Sequence, residues 1–271
     1  MGAFAWMHGA LDALHDAPGV WHLRRASAER KFAANTRSNL FRGVFDSAEA
    51  ALASAPKTRP LSYDNADSAE LYLRRLKIDD YDHPSMFWLQ NGFQAGLRSV
   101  VDLGGSVGIK YFAFSPFIDF PADLRWRVID MPAVARRGRE FAASRGAPSH
   151  LSFSDDVADI DGIDMLFVSG TLQYLPQTLD QILASLARKP RRIVVNTTAI
   201  HPTRDFFTLN SIGTAFCAYR VQSRDRFVDS VLAQGYTLRD EWRNIGKQLR
   251  LPFSPGHGLE DYKGFCFEAS A

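Results

Sequence analysis

Cysteine is scarce. Cys217 and Cys266 are the only two in 271 residues, with no Cys-x-x-Cys pair and no surrounding histidines. This excludes a disulfide-stapled scaffold and a thiolate metal site, so two buried free thiols in a reducing compartment are expected. An excess of one charge is also missing. Lysine and arginine number 32 against 30 acids, a formal charge of +2, which argues for neither a nucleic-acid partner nor an anionic membrane. The arginine pairs, such as Arg74-Arg75 and Arg136-Arg137, are scattered in the manner of solvated faces. No apolar run approaches the roughly 18 residues of a membrane span. The stretch Met1-Gly2-Ala3-Phe4-Ala5-Trp6 lacks a signal peptide's basic flank and the Ser/Thr of a myristoylation motif. A cytoplasmic protein is therefore expected. A P-loop ending in Gly-Lys-Ser/Thr is absent, because Ile109 follows Gly108, and no G-x-G-x-x-G can be placed around Gly105.

What is present is ordinary globular material, 46% hydrophobic and 23% charged, enough for one sizeable core and an appended subdomain. The chain is organised around Val100-Val101-Asp102-Leu103-Gly104-Gly105-Ser106-Val107-Gly108. An apolar β-branched run ending in an acid, then a glycine turn, then an amphipathic run reads as buried strand, tight loop and helix start. The glycines let the backbone turn sharply and let a ligand approach where no Cβ intervenes. A second strand, Trp126 to Ile129, ends in Asp130, some twenty-six residues past Gly104. In nucleotide-binding sheets an acid at that place accepts from ribose hydroxyls; the same carboxylate also suits a helix N-cap.

From Ser99 onward the pattern alternates strand and helix. Strands are expected at Val100–Leu103, Trp126–Ile129, Leu151–Phe153, Met165–Val168 and Arg192–Asn196, then a late pair at Tyr236–Trp242 and Gly264–Glu268. This predicts an α/β, Rossmann-like parallel sheet with a final antiparallel strand. Residues 1–96 show helical patterning at Phe4–His15, Val20–Phe32, Ala50–Ala55, Ala66–Leu76 and Ser85–Leu97, with an Asp46/Glu49 capping box. They are read as a helical cap before a ligand-binding domain at 97–271, and their apolar content is compatible with a homodimer.

In an open sheet of this kind, ligands lie across the carboxyl ends of the strands. Ser154 and Asp155 follow the third strand, Ser169-Gly170-Thr171-Leu172-Gln173-Tyr174 the fourth, and His201 comes soon after the fifth.

The glycine turn with Tyr111-Phe112, the block Trp126-Arg127-Val128-Ile129-Asp130-Met131-Pro132 and the block Ser169 to Pro176 together resemble a family of bacterial methyltransferases dependent on S-adenosylmethionine (SAM). Members of that family are often encoded beside surface-polysaccharide and other biosynthetic genes. The resemblance spans most of residues 80–268 and implies a seven-stranded class I methyltransferase sheet. It implies Asp102, Gly104, Gly105, Ser106 and Gly108 around the methionine part of SAM and Asp130 on the ribose, with Met131 beside it. Ser169 to Tyr174 would lie beside the transferred methyl, with Ser169 and Gly170 on the cofactor. Two departures stand out: Asp130-Met131-Pro132 replaces Glu-Gln-Pro, and Thr208-Leu209-Asn210 replaces Thr-x-Gln.

The expected acceptor is a small-molecule or glycan intermediate, with Gln173, Thr208, Asn210, Tyr219 and Arg220 bordering it. Transfer from a sulfonium mainly requires alignment, and a hydroxyl acceptor also gains from a base. His201 and Asp205 are the base candidates, Tyr174 an orienting group, and Arg220 a partner for a carboxylate or phosphate. O-transfer is placed ahead of N-transfer. A catalytically silent SAM-binding module and a nicotinamide-dependent oxidoreductase are the alternatives.

Overall fold

A computed structural model describes residues 18–36, 38–61 and 76–270. The helices expected at Phe4–His15 and Ala66–Leu76 lie outside these residues, Leu76 excepted. In chain order come α1 (Pro18–Ala33), β1 (Leu40–Phe45), α2 (Ala48–Ala53), a 3-10 turn at Asp80–Asp82, α3 (His83–Gln94), β2 (Ser99–Leu103), α4 (Ile109–Phe114), β3 (Arg125–Ile129), α5 (Pro132–Ser144), β4 (Leu151–Ser154), β5 (Met165–Ser169) and α6 (Leu179–Ala184). Then follow β6 (Arg192–Thr198), β7 (Ile200–His201), β8 (Phe206–Ser211), β9 (Phe216–Ser223), α7 (Arg224–Leu232), β10 (Tyr236–Asn244) and β11 (Tyr262–Ala269).

Seven strands form one sheet in the order β10-β11-β6-β5-β2-β3-β4. The five from β4 to β6 are parallel, and β11 runs antiparallel to both β6 and β10. This is the strand order of the class I methyltransferase sheet, and it bears out the expected fold. Both faces of the sheet are covered, which is why its strands read as nearly continuous apolar runs. Val101, Leu166, Val168, Ile193 and Val195 pack on one side against Ile182, Leu183, Phe227 and Val231 of α6 and α7. Val100, Val128, Phe167 and Val194 pack on the other against Leu89, Phe93, Tyr111 and Phe114 of α3 and α4. Sequence order reverses between β2 and β5, so the crevice at their carboxyl ends is the topological switch point.

A second sheet, β1-β8-β9-β7, has no counterpart in the sequence reading. Its β8–β9 hairpin pairs Phe206 with Val221 and Ser211 with Phe216, and β1 adds along β8. Thus Leu40–Phe45, between two of the helices expected in the cap, is a strand. Phe41, Tyr219 and Val221 pack on Leu249, Leu259 and Tyr262, against the main sheet. Leu209 and Phe216 pack on Phe32 and Leu52, under α1 and α2. The cap of α2 differs from expectation as well: Ser47, not Asp46, accepts from the Ala50 amide.

Candidate functional site

β2 delivers Asp102 and Leu103 to the crevice, and the chain then turns through Gly104 at φ 72°, Ser106 at φ 56° and Gly108 at φ 86° before α4 begins. A side chain on Gly104 would collide with Thr171, whose Oγ1 would lie 2.1 Å from the added Cβ. On Gly105, the added Cβ would meet the Asp102 carboxylate at 2.4 Å. The loop is therefore closed down onto its own neighbours, and glycine is required by space as well as by φ. Asp130 ties it to the end of β3: its Oδ2 accepts from the Ser106 amide at 2.8 Å and its Oδ1 from the Met131 amide at 2.8 Å. It gives no side-chain cap to α5, whose start is set by Pro132.

Asp102 is the unusual group. It is 1% exposed, and neither of its oxygens has a hydrogen-bond partner among the described residues. Burial pushes its pKa up to about 7. The Lys110 charge works against that shift, Asp130 adds to it, and the Trp126 N–H, which closes no hydrogen bond, slightly favours the ionised form. The Ser106 hydroxyl in the loop is likewise buried and without a partner. Leaving such a group unpaired costs about 1–3 kcal/mol or more, so both are candidates for a partner from outside the chain.

Facing the glycine loop, β5 ends at Ser169, and Gly170 (φ 76°) donates to the Asn196 carbonyl at 2.9 Å. Ser169 Oγ lies 3.2 Å from Thr197 Oγ1, and Thr171 Oγ1 donates to the Gly104 carbonyl at 3.3 Å, which joins the two loops. Thr197 sits at φ 47°, a rare conformation for a β-branched residue that persists only when the surroundings enforce it. Here they do: its amide donates to Asn244 Oδ1 at 3.1 Å, and Asn244 Nδ2 donates to Asn196 Oδ1 at 2.8 Å. Asn196 Nδ2 in turn reaches Asp82 Oδ1 at 3.1 Å, and Lys110 pairs with Asp82 Oδ2 at 2.6 Å. Asp82, Asn196 and Asn244 are all fully buried. This chain of polar contacts runs from α4 to the end of β10, and sequence reasoning missed it. Its trace is Asp82 just before a Pro-containing helix, Asn196 at the end of one predicted strand and Asn244 two residues past another.

The outer strand ends are less built. Ser154 Oγ accepts from the Asp156 amide at 3.1 Å, and Asp155 is exposed. Met131, at 43% exposure, presents an apolar surface beside Asp130.

Above the crevice, the second sheet brings several predicted residues together. Gln173 Nε2 donates to the Thr197 carbonyl at 3.3 Å. Tyr174 OH donates to Asn210 Oδ1 at 2.9 Å, and its ring stands edge-on to Tyr219 at 4.9 Å. The Tyr219 hydroxyl donates to Tyr262 OH at 2.7 Å, and burial raises the Tyr219 pKa. Thr208 is fully buried and bonded to the Arg42 carbonyl, so its hydroxyl joins β8 to β1. Arg220 projects to the other side of β9, where it reaches the Pro176 carbonyl.

Neither base candidate is placed for proton abstraction. His201 Nδ1 accepts from the Thr203 and Arg204 amides, both at 3.0 Å, so the ring proton sits on Nε2, which donates to the Gly256 carbonyl at 3.0 Å. With both nitrogens engaged and its pKa lowered chiefly by burial, His201 is a neutral loop clamp. Asp205 accepts from the Ser223 amide and hydroxyl at the start of α7, away from the glycine loop. Both stand close in sequence to the end of β6, but the turn after β7 engages His201 and Ser223 at the end of β9 engages Asp205. A cavity of about 360 Å³ lined by Ser99, Arg125, Arg127 and His150 lies at the opposite, N-terminal edge of the sheet. No group of His, Cys, Asp or Glu suited to a metal ion occurs among the described residues, and no described helix is long and apolar enough to cross a membrane.

No family model and no curated protein matches the sequence. Solved structures of similar fold include a SAM-dependent methyltransferase from Clostridium acetobutylicum, at 10% identity over 76% of this chain and 98% of that one, TM-score 0.48. An O-methyltransferase family protein from Burkholderia thailandensis is 14% identical over 84% of this chain and 64% of that one, TM-score 0.47. Mitomycin 7-O-methyltransferase is 15% identical over 77% of this chain and 59% of its own length, TM-score 0.46. At such distances no residue role is transferred from them.

Proposed function

We propose that the protein is a SAM-dependent methyltransferase acting on a hydroxyl or amine of a small-molecule or glycan intermediate. The observation that carries this reading is the partnerless Asp102 carboxylate beneath the glycine loop, a loop whose Ser106 hydroxyl is also buried without a partner among the described residues. A bound ammonium would satisfy the carboxylate, and the amino-acid end of SAM offers one. Gly104, Gly105, Ser106 and Gly108 would carry that end. Asp130, fixed at the end of β3 by the Ser106 and Met131 amides, would meet the ribose hydroxyls. Met131, Ser154 and Asp155 would border the adenine, and Ser169 and Gly170 the methyl.

When bound, SAM supplies an activated sulfonium methyl. The chain's own contribution is alignment: Thr197, enforced by Asn244, fixes the Ser169–Gly170 turn, while Gln173, Tyr174, Asn210 and Tyr219 shape the acceptor side. With His201 and Asp205 committed to other contacts, a hydroxyl and an amine acceptor stand equal. Packing of α1, β1 and α2 against β8 and β9 supports residues 18–61 as a cover over the acceptor side.

The test is isothermal titration with SAM and its demethylated product, with Asp130→Ala alongside. Micromolar binding that is lost in the variant is the expected result. No heat from protein freed of co-purified ligand would refute the reading. Binding without turnover of any acceptor would point to a silent module.

A further inference from the structure

Lys110 stands two residues beyond Gly108, in the first turn of α4, and its ammonium is the cation of the chain of contacts through Asp82, Asn196 and Asn244. Each acceptor of that network is already occupied. Asp82 Oδ1 accepts from Asn196, and Asp82 Oδ2 accepts from Lys110 and, at 3.0 Å, from the Asp79 amide. Asn196 Oδ1 accepts from Trp242 Nε1 at 3.1 Å and from Asn244, whose own Oδ1 takes the Thr197 amide. The ammonium is different. It carries three N–H donors, and Asp82 is its one hydrogen-bond partner among the described residues. The Lys110 side chain is 16% exposed where that of Asp82 is fully buried, so a ligand can reach the lysine and not the acid.

The position of this cation ties it to the cofactor crevice. Among the charges that act on the orphaned Asp102 carboxylate, that of Lys110 is the strongest. Asn196, which bonds to Asp82, pairs with Ser169 across β6 and β5, and its carbonyl accepts from the Gly170 amide at 2.9 Å. Lys110 thus sits between the glycine loop and the Ser169–Gly170 turn through contacts to both. It is bonded to Asp82 and makes no hydrogen bond with Asp102, whose oxygens stay without a partner among the described residues. An acid and a cation stand near one another at the same crevice, each with hydrogen-bonding capacity unspent, and that is the complement of a zwitterion.

We infer that Lys110 binds the carboxylate of SAM's amino-acid end while Asp102 takes its ammonium; the inference rests on the methyltransferase reading of the site. Asp82 is then a positioning residue, which holds the lysine head group in place through one N–H and leaves the others to the ligand.

The experiment titrates the full chain, freed of co-purified ligand, with SAM and with decarboxylated SAM, which keeps the sulfonium and the ammonium and lacks only the carboxylate. Wild type is expected to bind SAM about ten-fold or more tightly than the decarboxylated ligand, the worth of one charge-assisted hydrogen bond. Lys110→Met should bind the two about equally. Asp82→Asn/Lys110→Met should do the same without leaving a buried charge unpaired, and it serves as the reporter if the single variant does not fold. Asp82→Asn alone keeps the cation and should keep the preference for SAM. Equal affinity of wild type for the two ligands would overturn the inference. So would a preference that survives in the Lys110 variants, both ligands being weakened alike, which would mark a purely structural lysine. Loss of the preference in Asp82→Asn would trace it to the shape of the network and also overturn the assignment to Lys110. The two readings fail in different ways: binding of both ligands without preference removes the role of Lys110 alone, whereas binding of neither removes the methyltransferase reading and the inference with it.

Discussion

Asp102→Asn isolates the charge on which the cofactor site is built. Ionised Asp102 is disfavoured in the folded protein, since burial raises its pKa from 3.8 to about 7. Below pH 3.8 both folded and unfolded chains hold the proton, and the group has no effect. As pH rises towards 7 the unfolded chain releases the proton while the folded one keeps it, so stability falls by about 1.4 kcal/mol per unit and then levels off. The full shift of about three units corresponds to roughly 4 kcal/mol at alkaline pH. Asparagine has no such titration. Asp102→Asn without ligand should therefore be more stable than wild type, by about 1–2 kcal/mol at pH 5 and up to about 4 kcal/mol at pH 8.5. Binding should move the other way. An ammonium beside the carboxylate favours its charged form, so wild-type SAM affinity should rise about ten-fold per pH unit below 7 and flatten above it, while the variant binds weakly at every pH. Urea melts at three pH values, with SAM titrations at the same three, measure both. Parallel pH dependence of stability in the two proteins, or equal SAM affinity, would refute the account of Asp102.

Gly105→Ala places a methyl 2.4 Å from the Asp102 carboxylate; the loop must shift, and SAM titration should show a loss of at least ten-fold, with about 1–3 kcal/mol of stability lost in melts. Lys110→Met leaves the fully buried Asp82 without its cation, so unfolding measured at neutral pH should be easier by about 3–5 kcal/mol. His201→Asn removes a clamp of three backbone contacts. A stability loss of about 1–3 kcal/mol with unchanged SAM affinity and unchanged turnover is expected, and a hundred-fold fall in turnover would restore His201 as a base.

All seven strands of the main sheet lie within two residues of their expected bounds, because a parallel sheet buried on both faces leaves uninterrupted apolar runs between helices. The glycine loop was equally plain, since left-handed turns and close approach both demand residues without a Cβ. The β8–β9 hairpin was legible in principle: Phe206 to Ser211 and Phe216 to Val221 are rich in β-formers around a turn holding Gly213.

Local pattern thus determined the sheet, its switch point and the identity of Asp102 and Asp130 as strand-end acids, because those follow from periodicity and from backbone sterics within a few residues. Only the tertiary structure decided which polar groups are already satisfied. His201 and Asp205 stand near the end of β6 in sequence, yet their lone pairs are taken by the backbone of the turn after β7 and the start of α7. Asp82, Lys110, Asn196 and Asn244 are scattered over more than 160 positions, yet share one buried network. Whether a side chain is spent or available depends on partners brought from distant parts of the chain, and burial then sets the cost of leaving it unpaired.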